Sequence, residues 1–213
     1  MYRKIKAVIP VRSGSVRVPN KNIRPFAGSS LLEICIDKLK SLDLDVVVNT
    51  DSYEMIDIAK SKGVEYHKRP VELALSSTKP TDLSKYIAEV TDSDLILYVH
   101  CTSPLISTET IKRFIDTDWT GHDSLNSVSL VKKHLWFEGR PLNYEAHSRP
   151  NTQELPDIYA LNYSFNLIEK NVMIKRSDFV GCEPYLFLTP DEESIDIDTP
   201  TDFSIAEKLY GKL

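Results

Sequence analysis

IKAVIPVRSGSVRVPNKN, residues 5–22, is the stretch that decides the fold. Its first seven residues are an apolar run rich in β-branched side chains, the pattern of a strand buried on both faces. A polar loop, residues 12–22, follows. Residues 30–42 then carry Leu31, Leu32, Cys35, Ile36 and Leu39 at helical spacing. LDVVVN, residues 44–49, reads as a second buried strand. Residues 53–62 fit a helix with Gly63 where a C-cap is expected, and residues 64–67 a brief third strand. A helix over 80–90 opens on Pro80, which is tolerated in a first turn. DLILYV, residues 94–99, is the next strand, and 107–116 a helix with Ser107 as its cap. This alternation predicts an α/β fold: a mostly parallel, Rossmann-like sheet with helices on both faces. Ligands of such sheets bind beyond the carboxyl ends of the strands, so the loops after Val11, Asn49 and Val99 are where a site belongs.

From residue 124 the rhythm changes. Residues 124–131 and 135–137 read as strands with no helix between them. Residues 139–156 are polar and interrupted by prolines. The single domain, 1–213, is therefore expected to carry an excursion at about 131–155, a lid or a dimerisation arm. Strands return at 163–168 and 185–188, with a short acidic strand or turn at 194–198. A helix over 200–209 closes the chain, with Thr199 as cap and Pro200 in its first turn.

The formal net charge of −5 argues against a general nucleic-acid binder, which needs a basic excess. No apolar run approaches the roughly 18 residues of a membrane helix. Cys35, Cys101 and Cys182 form neither a CxxC pair nor a zinc spacing. Reduced thiols of this kind point to the cytoplasm.

Two constellations carry chemistry. The loop at 12–22 leaves a strand and precedes a helix, and holds Arg12, Arg17 and Lys21 with Ser13, Gly14 and Ser15. Gly14 permits positive φ and close approach of backbone N–H groups to an anion, and the cations suit phosphate oxygens. The loop lacks the glycines of a Walker A or dinucleotide fingerprint. An ordinary solvated loop has the same composition. Near the C-terminus, SIDIDTPTDF at 194–203 places Asp196 and Asp198 on one face if extended. Paired carboxylates suit Mg²⁺ shared with substrate phosphates. A helix N-terminal cluster, with Asp198 and Asp202 favouring the dipole, explains them as well.

Taken in order along the chain, five segments carry a resemblance. IPVRSGSVRVPNKN at 9–22 is similar to the opening I/V-x-A-R-x-x-S-K-x-x-x-x-K-N of the acylneuraminate cytidylyltransferases, matching at Arg12, Ser15, Lys21 and Asn22. RPVELA at 69–74 resembles RPxELA, and HCTSPLI at 100–106 resembles QPTSPLR. TQELPDIY at 152–159 with NYSFN at 162–166 resembles RQxLPxxYxxNGAIY, and IDIDTPTD at 195–202 matches IDIDTPxD. The resemblance implies that CTP and an acidic 2-keto-3-deoxy sugar give a CMP-sugar and pyrophosphate. It implies that Arg12 and Lys21 act catalytically by neutralising phosphate charge, while Ser13, Gly14, Ser15 and Arg17 contact phosphate. On the same footing Asn22 and Arg69 face the nucleoside, and His100, Thr102 and Ser103 also bind substrate. Gln153 and Asn162 face the sugar, and Asp196 and Asp198 hold Mg²⁺. It also implies a homodimer whose excursion reaches the partner. Four positions depart from the family: Val16 for lysine, His100 for glutamine, Thr152 for arginine and Tyr163 for glycine. The missing arginine removes a partner for a sugar carboxylate, so an atypical nonulosonic or ulosonic acid is expected. Transfer to another sugar or from another nucleoside triphosphate, and a catalytically decayed nucleotide-binding homologue, are the competing readings.

Overall fold

The structure is a computed structural model that describes residues 4–15 and 17–212. Strand β1 (Ile5–Pro10) leads through the loop to helix α1 (Leu31–Lys40). Ser30 caps α1 by accepting from the backbone N–H of Glu33. Strand β2 (Asp45–Thr50), helix α2 (Tyr53–Ser61) and strand β3 (Glu65–Lys68) follow. Gly63, at φ +67°, lies just beyond the α2 cap residue Lys62, in the left-handed region that ends many helices. Helix α3 (Pro80–Val90), strand β4 (Leu95–Val99) and helix α4 (Thr108–Ile115, capped by Ser107) complete the alternating half.

The second half adds β5 (Ser124–Val131), the small ribbon β6 (Trp136–Phe137) and β7 (Arg140–Pro141), and the long strand β8 (Ile158–Glu169). Helix α5 (Lys170–Arg176), strand β9 (Pro184–Leu188) and helix α6 (Pro200–Tyr210) end the chain. The main sheet has the order β3-β2-β1-β4-β8-β5-β9. Every neighbouring pair is parallel except the two made by β8, which runs against β4 and β5.

Alternate residues of the strands feed two cores. Ala7, Ile9, Val46, Val48, Leu95 and Leu97 join a core with residues of α1, α2, α4 and α6. Val8, Val47, Ile96 and Tyr98 face the other way, onto Ile87 and Ala88 of α3 and Met173 of α5. Burial on both faces is why these strands read as continuous apolar runs. The sequence expected no helix at 170–176 and began the strand before it at residue 163; the structure adds α5 and starts β8 at Ile158. Residues 194–198 form no strand, although Ile197 is fully buried between exposed or half-buried aspartates.

The order β2-β1-β4 makes the gap between β1 and β4 the switch point of the sheet. The loops after β1, β2 and β4 all emerge at that end. So does part of β8, because Val99 pairs with Phe165 and the backbone N–H of His100 donates to Ser164 O at 3.1 Å. Beyond this edge β5 and β8 continue as a hairpin, paired from Val128–Leu161 out to Val131–Ile158.

Candidate active site

The loop after β1 is anchored through Val18, which is buried, and Asn22, whose carbonyl accepts from Leu32 N–H at 3.0 Å. Gly14 sits at φ +73°, the left-handed turn expected of it. Val16, where the family resemblance expects a lysine, lies outside the described residues. The loop and the ends of β1 and β4 enclose a cleft of roughly 910 Å³ including its open mouth. Arg12, Ser15, Arg17, Lys21 and Asn22 line it from the loop. His100 and Thr102 line it from the segment after β4, and Arg69 and Asp198 from further along the chain. Four cations thus face one carboxylate, a field that favours a polyanion.

Each cation is held differently. Arg12 donates Nη1 to Ala74 O at 3.0 Å. Arg17 donates Nη2 to Asp198 Oδ1 at 2.7 Å. Lys21 donates Nζ to the Ile197 carbonyl and lies 3.9 Å from Asp198. Arg69 is almost fully buried and donates to Asn49 at 2.7 Å twice, from Nε to Oδ1 and from Nη2 to the carbonyl. Burial without a close carboxylate lowers its pKa, and the more distant charges of Tyr98 and Asp51 pull it back up. An anion in the cleft gives this guanidinium a partner.

His100 stands at the centre. Burial, with a smaller push from Lys21, lowers its pKa to about 4, so the imidazole is neutral near pH 7. Its Nε2 is buried and without a hydrogen-bond partner. Asn22 is buried and accepts from Cys101 Sγ at 3.4 Å.

The acidic pair flanks buried Ile197, whose N–H donates to Thr102 O at 2.9 Å. Crowding by protein raises the Asp196 carboxyl above its usual value; a hydrogen bond with Thr102 opposes this and the Asp198 charge adds to it. A carboxyl raised by burial, with a second carboxylate's charge beside it, fits a divalent cation. Among the described residues no group of three or more His, Cys, Asp or Glu gathers as a complete protein cage. Mg²⁺ needs none, since it commonly takes one or two carboxylates and completes its shell with phosphate and water.

Several expected site residues lie elsewhere. Ser13 gives both its N–H (2.9 Å) and its hydroxyl to Asp51. Although burial raises it, the Asp51 carboxyl is held below the usual range by these two bonds and by Arg69. Ser103 accepts from Ser164 Oγ at 3.1 Å and lines a separate small cavity against α1. Asn162 spends its amide inside the sheet, on Ser127 (2.6 Å), Ser129 (3.0 Å) and Thr189 (2.7 Å). Gln153 is exposed in the turn Thr152–Glu154, within the excursion, and lines neither lobe of the cleft. Asp51 escaped the sequence reading, although an acidic residue directly after a strand that ends at the site edge is a usable signal.

Comparison with known proteins agrees with this geometry. Residues 6–212 match the family model described as cytidylyltransferase. The chain is 32% identical to CMP-N,N'-diacetyllegionaminic acid synthase of Legionella pneumophila, over 97% of this chain and 96% of that protein. It is 28% identical to N-acylneuraminate cytidylyltransferase A of Danio rerio, over 97% of this chain but only 50% of that longer protein. Among solved structures, a CMP:2-keto-3-deoxy-manno-octonic acid synthetase complexed with CTP aligns with TM-score 0.70 at 14% identity, covering 98% of this chain and 99% of that one. A 4-diphosphocytidyl-2C-methyl-D-erythritol synthase from Anaerococcus prevotii gives 0.69 at 16%, covering 98% of each. These two show the fold alone. A family match across nearly the whole chain, on a sheet whose switch point bears a cationic cleft, makes this chain a member of the cytidylyltransferase family, an enzyme of the CMP-sugar synthetase kind.

Proposed function

We propose that the enzyme transfers CMP from CTP to an acidic 2-keto-3-deoxy sugar, a nonulosonic or ulosonic acid, with Mg²⁺ and release of pyrophosphate. The observation that carries this is the convergence of Arg12, Arg17, Lys21 and Arg69 on one cleft beside Asp198. A triphosphate brings the anionic charge that such a cleft lacks. The anomeric hydroxyl of the sugar attacks the α-phosphorus; the new O–P bond forms as the bond to pyrophosphate breaks, and the hydroxyl proton is released. Phosphoryl chemistry of this kind is positioning plus charge stabilisation. Arg12 and Lys21 neutralise charge on the reacting phosphate, and Arg17 and Ser15 bind the outer phosphates. Asn22 and Arg69 face the nucleoside. His100, neutral, orients the acceptor rather than carrying charge. Asp196 and Asp198 are the residues that would hold Mg²⁺. When bound, the ion supplies Lewis-acid stabilisation of the phosphate oxygens.

The names of relatives support the acceptor class: one is a CMP-N,N'-diacetyllegionaminic acid synthase and others are N-acylneuraminate cytidylyltransferases. We also read the arm beyond β5 and β8 as a dimerisation element, and the cytoplasm as the compartment; among the described residues no helix is long and apolar enough to cross a membrane. The test is pyrophosphate release from each of the four nucleoside triphosphates, with Mg²⁺ and a panel of 2-keto-3-deoxy sugar acids. CTP alone should support turnover, and only with an acidic keto-sugar. CTP binding without turnover of any acceptor would favour a decayed homologue; turnover with another nucleotide would overturn the cytidylyl assignment.

A further inference from the structure

The cleft has a second lobe. It shares Arg12, Arg69, Leu83, Tyr98 and His100 with the cationic lobe and extends to roughly 1340 Å³ including its mouth. One wall is mostly apolar, with Leu161, Tyr163, Phe179 and Val180 beside the single carboxylate of Asp178, while Thr78 and Lys79 also line the lobe. Tyr163 reaches it through an irregularity in the sheet. Asn126 of β5 pairs with Asn166 of β8, but Val128 pairs with Leu161, so residues 162–165 face Ser127 alone. A bulge of this kind re-aims a side chain out of the ladder.

The tyrosine backbone is at φ +57°, a region unfavourable for a bulky side chain. Glycine occupies it without strain. Rings hold Tyr163 there: Phe179 meets it edge-on at 5.9 Å and His100 lies 6.4 Å away, while Tyr98 stacks on Phe179 at 4.7 Å. Two positions at which the chain departs from its family, His100 and Tyr163, therefore meet in one aromatic group. Strain that persists at a site edge, where a residue without a side chain would remove it, marks the side chain as the useful part.

We propose that Tyr163 is a specificity-determining residue of the acceptor lobe. It selects a sugar acid whose end remote from the reacting carbon carries methyl or acylamino groups in place of hydroxyls. The proposal rests on the functional reading above. The reacting end of the acceptor must lie by Arg12, which lines both lobes, and this leaves the remote end against the wall of Tyr163 and Phe179. A hydroxyl set against the rings of Tyr163 and Phe179, away from Asp178 and Lys79, gives up water for an aromatic face, whereas a methyl or acyl group buries apolar surface there.

The experiment compares wild type with Tyr163→Gly, Tyr163→Phe and Phe179→Leu. Measured are kcat/KM on matched acceptors differing only in a remote hydroxyl or an acylamino or methyl group, CTP affinity by calorimetry, and the melting temperature. Wild type should prefer the apolar-substituted acceptor by about tenfold or more, the scale of small apolar differences in a fitted pocket. Tyr163→Gly should shrink that ratio to about threefold or less without lowering the melting temperature. Tyr163→Phe should keep the preference. Should Tyr163→Gly fail to fold, Phe179→Leu decides, since it removes the ring that holds Tyr163 and should shift the ratio in the same direction. An unchanged ratio in an active Tyr163→Gly enzyme overturns the proposal alone. So does a loss of CTP affinity at an unchanged ratio, which would place the nucleobase in this lobe. A wild type active on no keto-sugar acid overturns the proposed function itself, and the proposal with it.

Discussion

Arg12 and Lys21, at the two ends of the loop, both line the cleft, one tied to the Ala74 carbonyl and the other to the Ile197 carbonyl. Neither carbonyl is charged, and the one carboxylate near Lys21, Asp198, stands 3.9 Å away, so both cations keep charge for a ligand. Replacing either by alanine should lower kcat by about 10²–10³, the scale of losing one charge-stabilising donor; retention of activity within a few-fold in both would remove the loop from the mechanism. Asp51 acts one step back, through Ser13. Asp51→Ala releases the start of the loop, and kcat/KM for CTP should fall by about tenfold to a hundredfold, a positioning loss. Asp51→Asn, which can still accept from Ser13, should recover part of it, whereas a purely structural role would show as a lower melting temperature with kinetics intact. His100 yields a pH prediction. Its folded pKa, about 4, lies below the unfolded value near 6.5, so below pH 6.5 the unfolded state binds the extra proton. Stability should therefore fall as pH drops from 6.5 towards 4 and change little on this account above 6.5. Urea titrations of wild type and His100→Gln across that window should show a shallower fall in the variant. At this scale the sequence grouped Arg12, Arg17 and Lys21 in one loop, and all three line one cleft in the structure. It was silent about direction: Ser13 turns to Asp51 and Asn162 to the sheet, because tertiary neighbours decide which partner a short polar side chain meets.

The acidic segment and α6 share one polar knot. Thr199 Oγ1 accepts from Asp202 N–H at 3.2 Å, while Asp202 Oδ2 accepts from the backbone N–H groups of Thr199 at 2.7 Å and Asp198 at 3.1 Å. The capping box of a helix thus also fixes the backbone of a proposed metal ligand. Thr199→Ala should destabilise the protein by about 1 kcal/mol, the usual cost of losing such a cap, and should raise the Mg²⁺ concentration needed for half-maximal turnover. A denaturant midpoint equal to wild type would show that the cap contributes nothing. The same element shows what sequence periodicity can and cannot reach. β1, β2 and β4 were legible because burial on both faces makes them uninterrupted apolar runs. α6 was legible from Thr199 and Pro200. Helix α5 was not, because it is seven residues long, buries only Met173 and has no side-chain cap. The start of β8 was missed because Ile158–Leu161 belongs to the projecting hairpin, where partial exposure blurs the alternation. Residues 194–198 form no strand; Ile197 is buried between the two aspartates, and of the pair Asp198 is the one that lines the cleft.

On the scale of the molecule, the hairpin beyond the sheet edge poses the remaining structural question. Its tip carries β6 and β7, two residues each, and ribbons this small have little stability of their own. Yet Trp136, Phe137 and Leu142 are 62%, 63% and 60% exposed there, close together in sequence on one projection. Exposed apolar groups concentrated on an arm, rather than scattered, mark a surface that is covered in use. A second copy of the chain is the economical occupant, because a two-fold contact buries the same projection twice. The protein at micromolar concentration should therefore sediment as a species of twice the 24.2 kDa chain. Trp136→Asp with Phe137→Asp should yield a monomer whose circular dichroism matches wild type, since neither side chain is part of the two cores. Wild-type protein that sediments as a monomer at every concentration would reject the dimer. A double variant that remains dimeric would move the interface away from the arm.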